Sequence, residues 1–430
     1  MYIDRPIFHT LFEHRMNRKI TILLGARQVG KTSLLQALYK TLQPEETCLF
    51  LDLDLYSNYE KVSTYENLMN TLRLNGYQED QSRTFFLFLD EFQRYADVTL
   101  LLKNIADHHP NVKVYASGSS SLVIRSKIQE SLAGRKRIVF IHPLSFSEYL
   151  RFREKTEAIE KLHHLGSVRS KVLNQLVPEL YRELEDFMVY GGYPEVALAK
   201  VQDRPEIYSG IFDLYVKKEL VDYLKVEKIR NAKLLINTLA VNHGCETNYA
   251  EFAQLSSLDE KTVKGYIEIL KETFLITVLS PWFTNRNREI VKMPKVYFSD
   301  SGVRNYFINS FNPLSLRKDA AWLFEGYVIT ELIKNGADPS TLKFWRTKNQ
   351  MEVDLILDHG PKPIPIEIKY KQKITGKDVR GLKSFITQYP DTEKSYLVNL
   401  NDNQTIFKNM NCKLVSPFAL DELLRTDFDR

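Results

Sequence analysis

Through residues 1–153 the chain alternates short apolar runs with amphipathic stretches: ITILLGA, TSLLQALYKTL, CLFLDLD, a polar helical piece, FFLFLDE, a helical pattern from Val98 to His108, and VKVYASGSS. Continuous apolar runs suit parallel strands buried on both faces, and the helical stretches between them give a β-α-β rhythm. The pattern predicts an α/β unit built on a parallel sheet. From 154 to 230 it becomes charged and helical, broken by the turn-like Gly191-Gly192-Tyr193-Pro194, and reads as a helical connector.

Over 231–311 three helical patterns, KLLINTLAVNHG, NYAEFAQLSS and EKTVKGYIEILKET, precede the strand-like FLITVLSPWF, the polar TNRNRE and IVKM. Three short helices and a hairpin outline a winged helix-turn-helix. Residues 312–430 then offer the helix AAWLFEGYVITELIKNG, the strands LKFWRT, MEVDLIL and PIPIEIKY, a helix around Lys377 to Gln388 and the strand SYLVNL. That is a further α/β unit with a core of its own.

Composition agrees with several folded parts. A chain of 430 residues exceeds one ordinary core, and 43% apolar with 26% charged residues excludes extended disorder. Cys48, Cys245 and Cys412 lie too far apart for a zinc spacing or a disulfide framework. The notable uncharged run from Thr273 to Phe283 falls short of the roughly 20 residues a membrane span needs, and the N-terminal MYIDRPIFHTLFEHR carries charges where a signal sequence is apolar. A cytoplasmic location is expected.

The first chemical signal is GARQVGKT at residues 25–32, which fits G-x-x-x-x-G-K-[ST]. The strand pattern before it and Leu34, Leu35, Leu38 and Leu42 after it supply the context a phosphate-binding loop requires. In that reading Gly25, Ala26, Arg27, Gln28, Val29 and Gly30 curl so that backbone N–H groups face the phosphates of ATP. Lys31 reaches the outer phosphates, Thr32 holds Mg²⁺, and Ser33 continues into the helix. FFLFL running into Asp90-Glu91 provides a second acid at a strand end: Asp90 for Mg²⁺, and Glu91 to polarise the attacking water. The strand Val112 to Ala116 ends in Ser117-Gly118-Ser119-Ser120, where Ser117 or Ser119 is placed to sense the last phosphate.

This region resembles the AAA-type P-loop ATPases, in the branch whose third strand reads like YASGSSS and is followed by a glycine-arginine pair, here Gly134-Arg135, and a segment like PLSFSE, here Pro143 to Glu148. The resemblance implies clustered subunits, a homo-oligomer, in which an arginine from one subunit completes a neighbour's site; Arg135 is the candidate.

A net charge of +5 hides basic windows. Arg125 to Arg137 holds five basic residues against one acid, Phe283 to Val296 four against one, and Pro361 to Lys383 seven against two. In the winged-helix reading Lys261, Thr262 and Lys264 lie on the exposed face of the third helix, and Arg286 and Arg288 at the hairpin tip, so that helix and wing suit duplex DNA.

The C-terminal unit contributes another pattern. Alternation puts Glu367 and Lys369 on one strand face; Asp354 sits on the strand expected to pair with it, and Glu325 on the preceding helix. Two acids can hold a divalent cation while a lysine faces a phosphodiester. The set resembles the PD-(D/E)xK nuclease superfamily, and the whole chain, with FMVYGGYPEVAL and KVYFSDSGVRNYF, resembles an ATP-binding family that joins an AAA-type ATPase to the domain of unknown function 4143. The resemblance implies a nuclease-like fold with no established substrate. The sequence thus predicts a Mg²⁺-dependent ATPase that binds and remodels duplex or branched DNA. Its alternatives are an ATP-gated metal-dependent endonuclease, and a regulatory switch whose C-terminal domain only binds.

Overall fold

The computed structural model describes residues 3–79, 83–95, 97–119, 132–167, 173–215, 229–284, 292–358, 362–400 and 412–424. The chain divides into two compact units. The first takes Met1–His142 with Asp213–Lys225 and Glu272–Phe274; the second takes Pro143–Phe212, Val226–Lys271 and Leu275–Arg430.

The first unit is built on five parallel strands: β1 (Ile20–Gly25), β2 (Thr47–Asp52), β3 (Phe85–Asp90), β4 (Val112–Ser119) and β5 (Lys136–Phe140), in the order β2-β3-β4-β1-β5. β1 and β3 are buried along their whole length, as continuous apolar runs require. Helices Lys31–Leu42, Tyr65–Leu74 and Val98–His108 bury Leu35, Leu38, Leu72 and Leu102 among others, and leave Leu74 and Leu100 exposed. Because all five strands run the same way, the ends of β1, β3 and β4 meet at one edge of the sheet. The register Gly25↔Ser119 and Leu89↔Ala116 sets how those ends line up.

The second unit is one seven-stranded mixed sheet with helices on both faces. Its strands are β6 (Ile276–Pro281), β7 (Lys295–Phe298), β8 (Leu342–Arg346), β9 (Glu352–Leu357), β10 (Ile364–Lys369), β11 (Ser395–Asn399) and β12 (Cys412–Val415), in the order β12-β11-β10-β9-β8-β6-β7. On one face Ile366, Ile368 and Leu355 pack with Phe324 of the almost wholly buried helix Ala320–Lys334, and with Tyr149 and Phe187 from the connector helices. On the other face Trp282, Trp345 and Leu397 pack with Phe385 of the helix Arg380–Gln388.

This arrangement departs from the boundaries at 154, 231 and 312 that the sequence suggests. The connector from Pro143 shares a core with the C-terminal strands, and the hairpin β6–β7 is not a free-standing wing. β6 pairs antiparallel with β7 and, through Ser280↔Lys343 and Pro281↔Phe344, in parallel with β8. The local order of elements is nevertheless the one the pattern predicts. Helices Ile229–Val241, Tyr249–Ser256 and Glu260–Glu272 precede the hairpin, and Ser257, at φ 54°, makes the left-handed turn between the last two. Arg286 and Arg288, expected at the wing tip, lie outside the described residues.

Candidate nucleotide site and C-terminal charge cluster

The phosphate loop leaves the end of β1 at Gly25 and enters the helix Lys31–Leu42. Gly25 is required by close packing, since a Cβ there would stand 2.1 Å from the Ile141 carbonyl oxygen. Gly30 caps the helix at φ 94°, a left-handed conformation that glycine adopts without steric cost. Lys31 is 5% exposed, and its ammonium donates to the carbonyls of Gly25 at 3.0 Å and Ala26 at 2.6 Å, folding over the loop it follows. Val29 is buried; Ala26, Arg27 and Thr32 are half-buried; Gln28 and Ser33 are exposed.

A residue that the sequence pattern did not single out braces this loop. Arg5, buried before the first helix, donates to the carbonyl of Val29 at 2.9 Å and to that of His142 at 3.1 Å. The only signal for it was a basic residue next to Pro6 at the start of a helix.

Asp90 ends β3, level with Ser117 of β4, and is 2% exposed. Burial raises the pKa of its carboxyl, opposed by hydrogen bonds from the Ser117 and Thr32 hydroxyls; the neighbouring Glu91 and Asp52 carboxylates add to the rise. Thr32 of the loop and Asp90 of the strand are therefore adjacent. A threonine hydroxyl beside an aspartate at the mouth of a phosphate loop is the oxygen-rich donor set that suits Mg²⁺. Asp52, opposite Asp90 across β2 and β3, is a further acid here that the sequence pattern did not single out.

Glu91 has a left-handed backbone, φ 53°, uncommon for a residue with a side chain, and its carboxylate accepts from the Gln93 amide. Ser117, rather than standing free to meet a phosphate, donates to Asp90. Ser119 lies beside Gly25 in the ladder. Arg135 is not brought to this edge: it precedes β5 at the opposite end of the sheet, where its carbonyl accepts from the Ile20 amide and its guanidinium pairs with Asp107.

In the second unit the four residues of the nuclease-like pattern do converge. The β9–β10 ladder ends at Ile366↔Leu355, and beyond it the Ile368 amide donates to Asp354 Oδ2 at 2.8 Å. Lys369 Nζ lies 3.0 Å from Asp354 Oδ2 and 2.5 Å from Glu367 Oε1. Burial, and then the Asp354 charge, push the Glu367 carboxyl well above the usual range; Lys369 opposes that rise. Glu325 accepts from the Tyr297 hydroxyl and lies 3.2 Å from Lys295 Nζ. Lys295 in turn lies 2.5 Å from Glu352 Oε1. Arg346 stands 3.0 Å from Glu246 and 3.5 Å from Glu352.

Glu325, Lys295, Glu352, Arg346, Asp354 and Lys369 line a cavity of about 350 Å³ with Trp322 and Tyr370 in its wall, while Glu367 lies behind it. Lys295, Glu352, Arg346 and Glu246 were not foreseen, because they reach the site from separate elements. The divalent ion expected on these acids does not fit their arrangement: the carboxylates are spaced by lysines. Among the described residues no group of three or more histidine, cysteine or acidic side chains is placed to hold a metal ion.

The third-helix residues have mixed fates. Lys261 and Lys264 are exposed, with Lys264 Nζ 4.9 Å above the Tyr249 ring. Thr262 is spent on the helix start, its amide and hydroxyl donating to Asp259 at 2.9 and 2.6 Å. The basic windows are also partly neutralised by partners outside them: Lys362 by Glu393, Arg135 by Asp107 and Lys295 by its two glutamates.

The first unit has the strand, phosphate loop and helix of a P-loop ATPase-like fold. The AAA domain model matches residues 17–150, a domain of unknown function, DUF8612, matches 181–314, and DUF4143 matches 322–418. An uncharacterized protein of Methanocaldococcus jannaschii is 25% identical over 380 residues, covering 85% of this chain and 78% of that protein. One of Mycobacterium tuberculosis is 24% identical over 379 residues, covering 86% and 74%. Among solved structures, a Walker-type ATPase of Pyrococcus abyssi aligns over 71% of this chain and 96% of its own, at 16% identity and a TM-score of 0.47. No helix among the described residues is long and apolar enough to cross a membrane.

Proposed function

We propose that the protein binds and hydrolyses ATP with Mg²⁺ and couples this to binding and remodelling DNA. The observation that carries the first half is the adjacency of Thr32 and Asp90 at the mouth of a loop closed by Lys31. Thr32 and Asp90 would hold the metal, whose charge offsets that of the phosphates. Lys31 binds the outer phosphates, Ser117 holds Asp90 in place, and Glu91 orients water. Ser119 is proposed to sense the last phosphate from beside Gly25, and Arg135 to act on a neighbouring copy's site.

For DNA the support is the exposed pair Lys261 and Lys264 on the last of three short helices, the place in the order of elements that a recognition helix takes. In this reading the nuclease-like unit serves as a contact module, because lysines already partner its acids. ATP turnover is to be measured with single-stranded, duplex and branched DNA. Stimulation by one of them is expected, and turnover that persists in Lys31→Ala would falsify the ATPase assignment.

A further inference from the structure

Lys295 stands out among the basic side chains of the second unit. It belongs to β7, yet it is 3% exposed, and its ammonium sits between Glu325 of the helix Ala320–Lys334 and Glu352 of β9. Lys369 performs the same service for Asp354 and Glu367. Four carboxylates drawn from three elements are thus taken in pairs by two lysines.

A hard divalent cation needs a different arrangement. Mg²⁺ gathers oxygens at about 2.0–2.1 Å and Ca²⁺ at about 2.3–2.6 Å around one point. An ammonium holding two carboxylates by N–H···O bonds keeps them apart, and it occupies the point at which they would meet. Removing such an ammonium leaves buried like charges unpaired, a large cost, so the lysine is not readily displaced.

We propose that Lys295 is the resident cation of this cavity, a built-in substitute for a divalent ion between Glu325 and Glu352, and that the C-terminal site works without metal. The hairpin β6–β7 then acts as the arm that delivers this charge: Lys295 pairs with Leu279 in its ladder and bridges to Glu246. This inference does not depend on the ATPase reading, and its test leaves the nucleotide site untouched.

The test is a Mn²⁺ titration of the full chain without nucleotide, followed by the electron paramagnetic resonance of free Mn²⁺. The native chain is expected to show no site tighter than about 1 mM that Asp354→Asn removes. Lys295→Met, which keeps the aliphatic stem and deletes the charge, is expected to gain one Mn²⁺ site. Its midpoint of thermal unfolding should rise more with added Mn²⁺ than that of the native chain, because the metal donors Thr32 and Asp90 are shared by both proteins. The Mn²⁺ gain should disappear in the double variant with Glu352→Gln, which removes one of the two carboxylates that Lys295 holds. A micromolar site in the native chain that Asp354→Asn abolishes would overturn the proposal. So would a folded Lys295→Met that takes up no metal. If Lys295→Met does not fold, the native chain and Asp354→Asn decide the matter between them.

Discussion

Ser117 donates its hydroxyl to the carboxylate of Asp90, across the β3–β4 boundary and beneath the phosphate loop. That bond lowers a pKa that burial raises. Deleting it with Ser117→Ala should therefore let the Asp90 carboxyl rise further, and the acid limb of the ATPase pH profile should move to higher pH. A purely structural role would lower turnover equally at every pH. Asp90→Asn should abolish turnover throughout.

The Arg5 guanidinium holds the Val29 carbonyl at 2.9 Å from inside the fold. Loss of one charge-assisted hydrogen bond of this kind costs about 1.5–3 kcal/mol. Arg5→Ala is expected to weaken ATP binding by roughly tenfold or more, as an increase in KM larger than the fall in kcat, because the loop loses its brace while the chemical groups stay. Fluorescence titration with a labelled nucleotide checks it; an unchanged Kd would show that the brace is only architectural.

Lys113 is buried at the start of β4, donating to the Thr21 hydroxyl at 2.9 Å and the Lys19 carbonyl at 2.5 Å, and burial brings its pKa down to about 7. An unfolded lysine titrates near 10.5, so between about 7 and that value the unfolded chain binds more protons and stability rises with pH, by up to about 1.4 kcal/mol per unit. Below about 7 both states are protonated and this contribution is flat. Lys113→Met should remove the slope and stabilise the protein at pH 7.5. Urea midpoints of both proteins at pH 7.5 and 9.5 measure the difference.

Lys261 and Lys264 are exposed on the helix Glu260–Glu272, with Glu268 paired to Lys271 nearby. Replacing both by Glu should weaken duplex binding at every sequence and reduce the salt slope of log K by about 0.9 for each phosphate that is no longer neutralised. Fluorescence anisotropy at several salt concentrations reads both; an unchanged slope places the DNA surface elsewhere.

The phosphate loop was legible because its chemistry is local: the glycines, Lys31 and Thr32 lie within eight residues, and β1 and its helix flank them. Asp90 was legible as the end of a continuous apolar run. The elements of the C-terminal unit were readable by period, and Asp354, Glu367 and Lys369 by alternation. The charges were not. Lys295 counted as one of four basic residues of a wing, while its partners Glu325 and Glu352 sit on other elements. The same holds for Lys362 with Glu393 and for Arg135 with Asp107. A window sum sees neighbours in sequence, whereas neutralisation happens between neighbours in space. The shared core of the second unit was hidden for a related reason: Tyr149 and Phe187 pack with Phe324 and Ile366, and no composition change announces it.

The parallel pairing of β6 with β8 also orders events during synthesis. β6 and β7 leave the ribosome well before β8, and at about 5–20 residues per second the edge of β6 waits some seconds for its partner. During that interval the nascent chain holds an open strand edge and a lysine whose two glutamates lie downstream. A ribosome pause placed before β8 would lengthen that exposure and should raise the fraction of chain that aggregates.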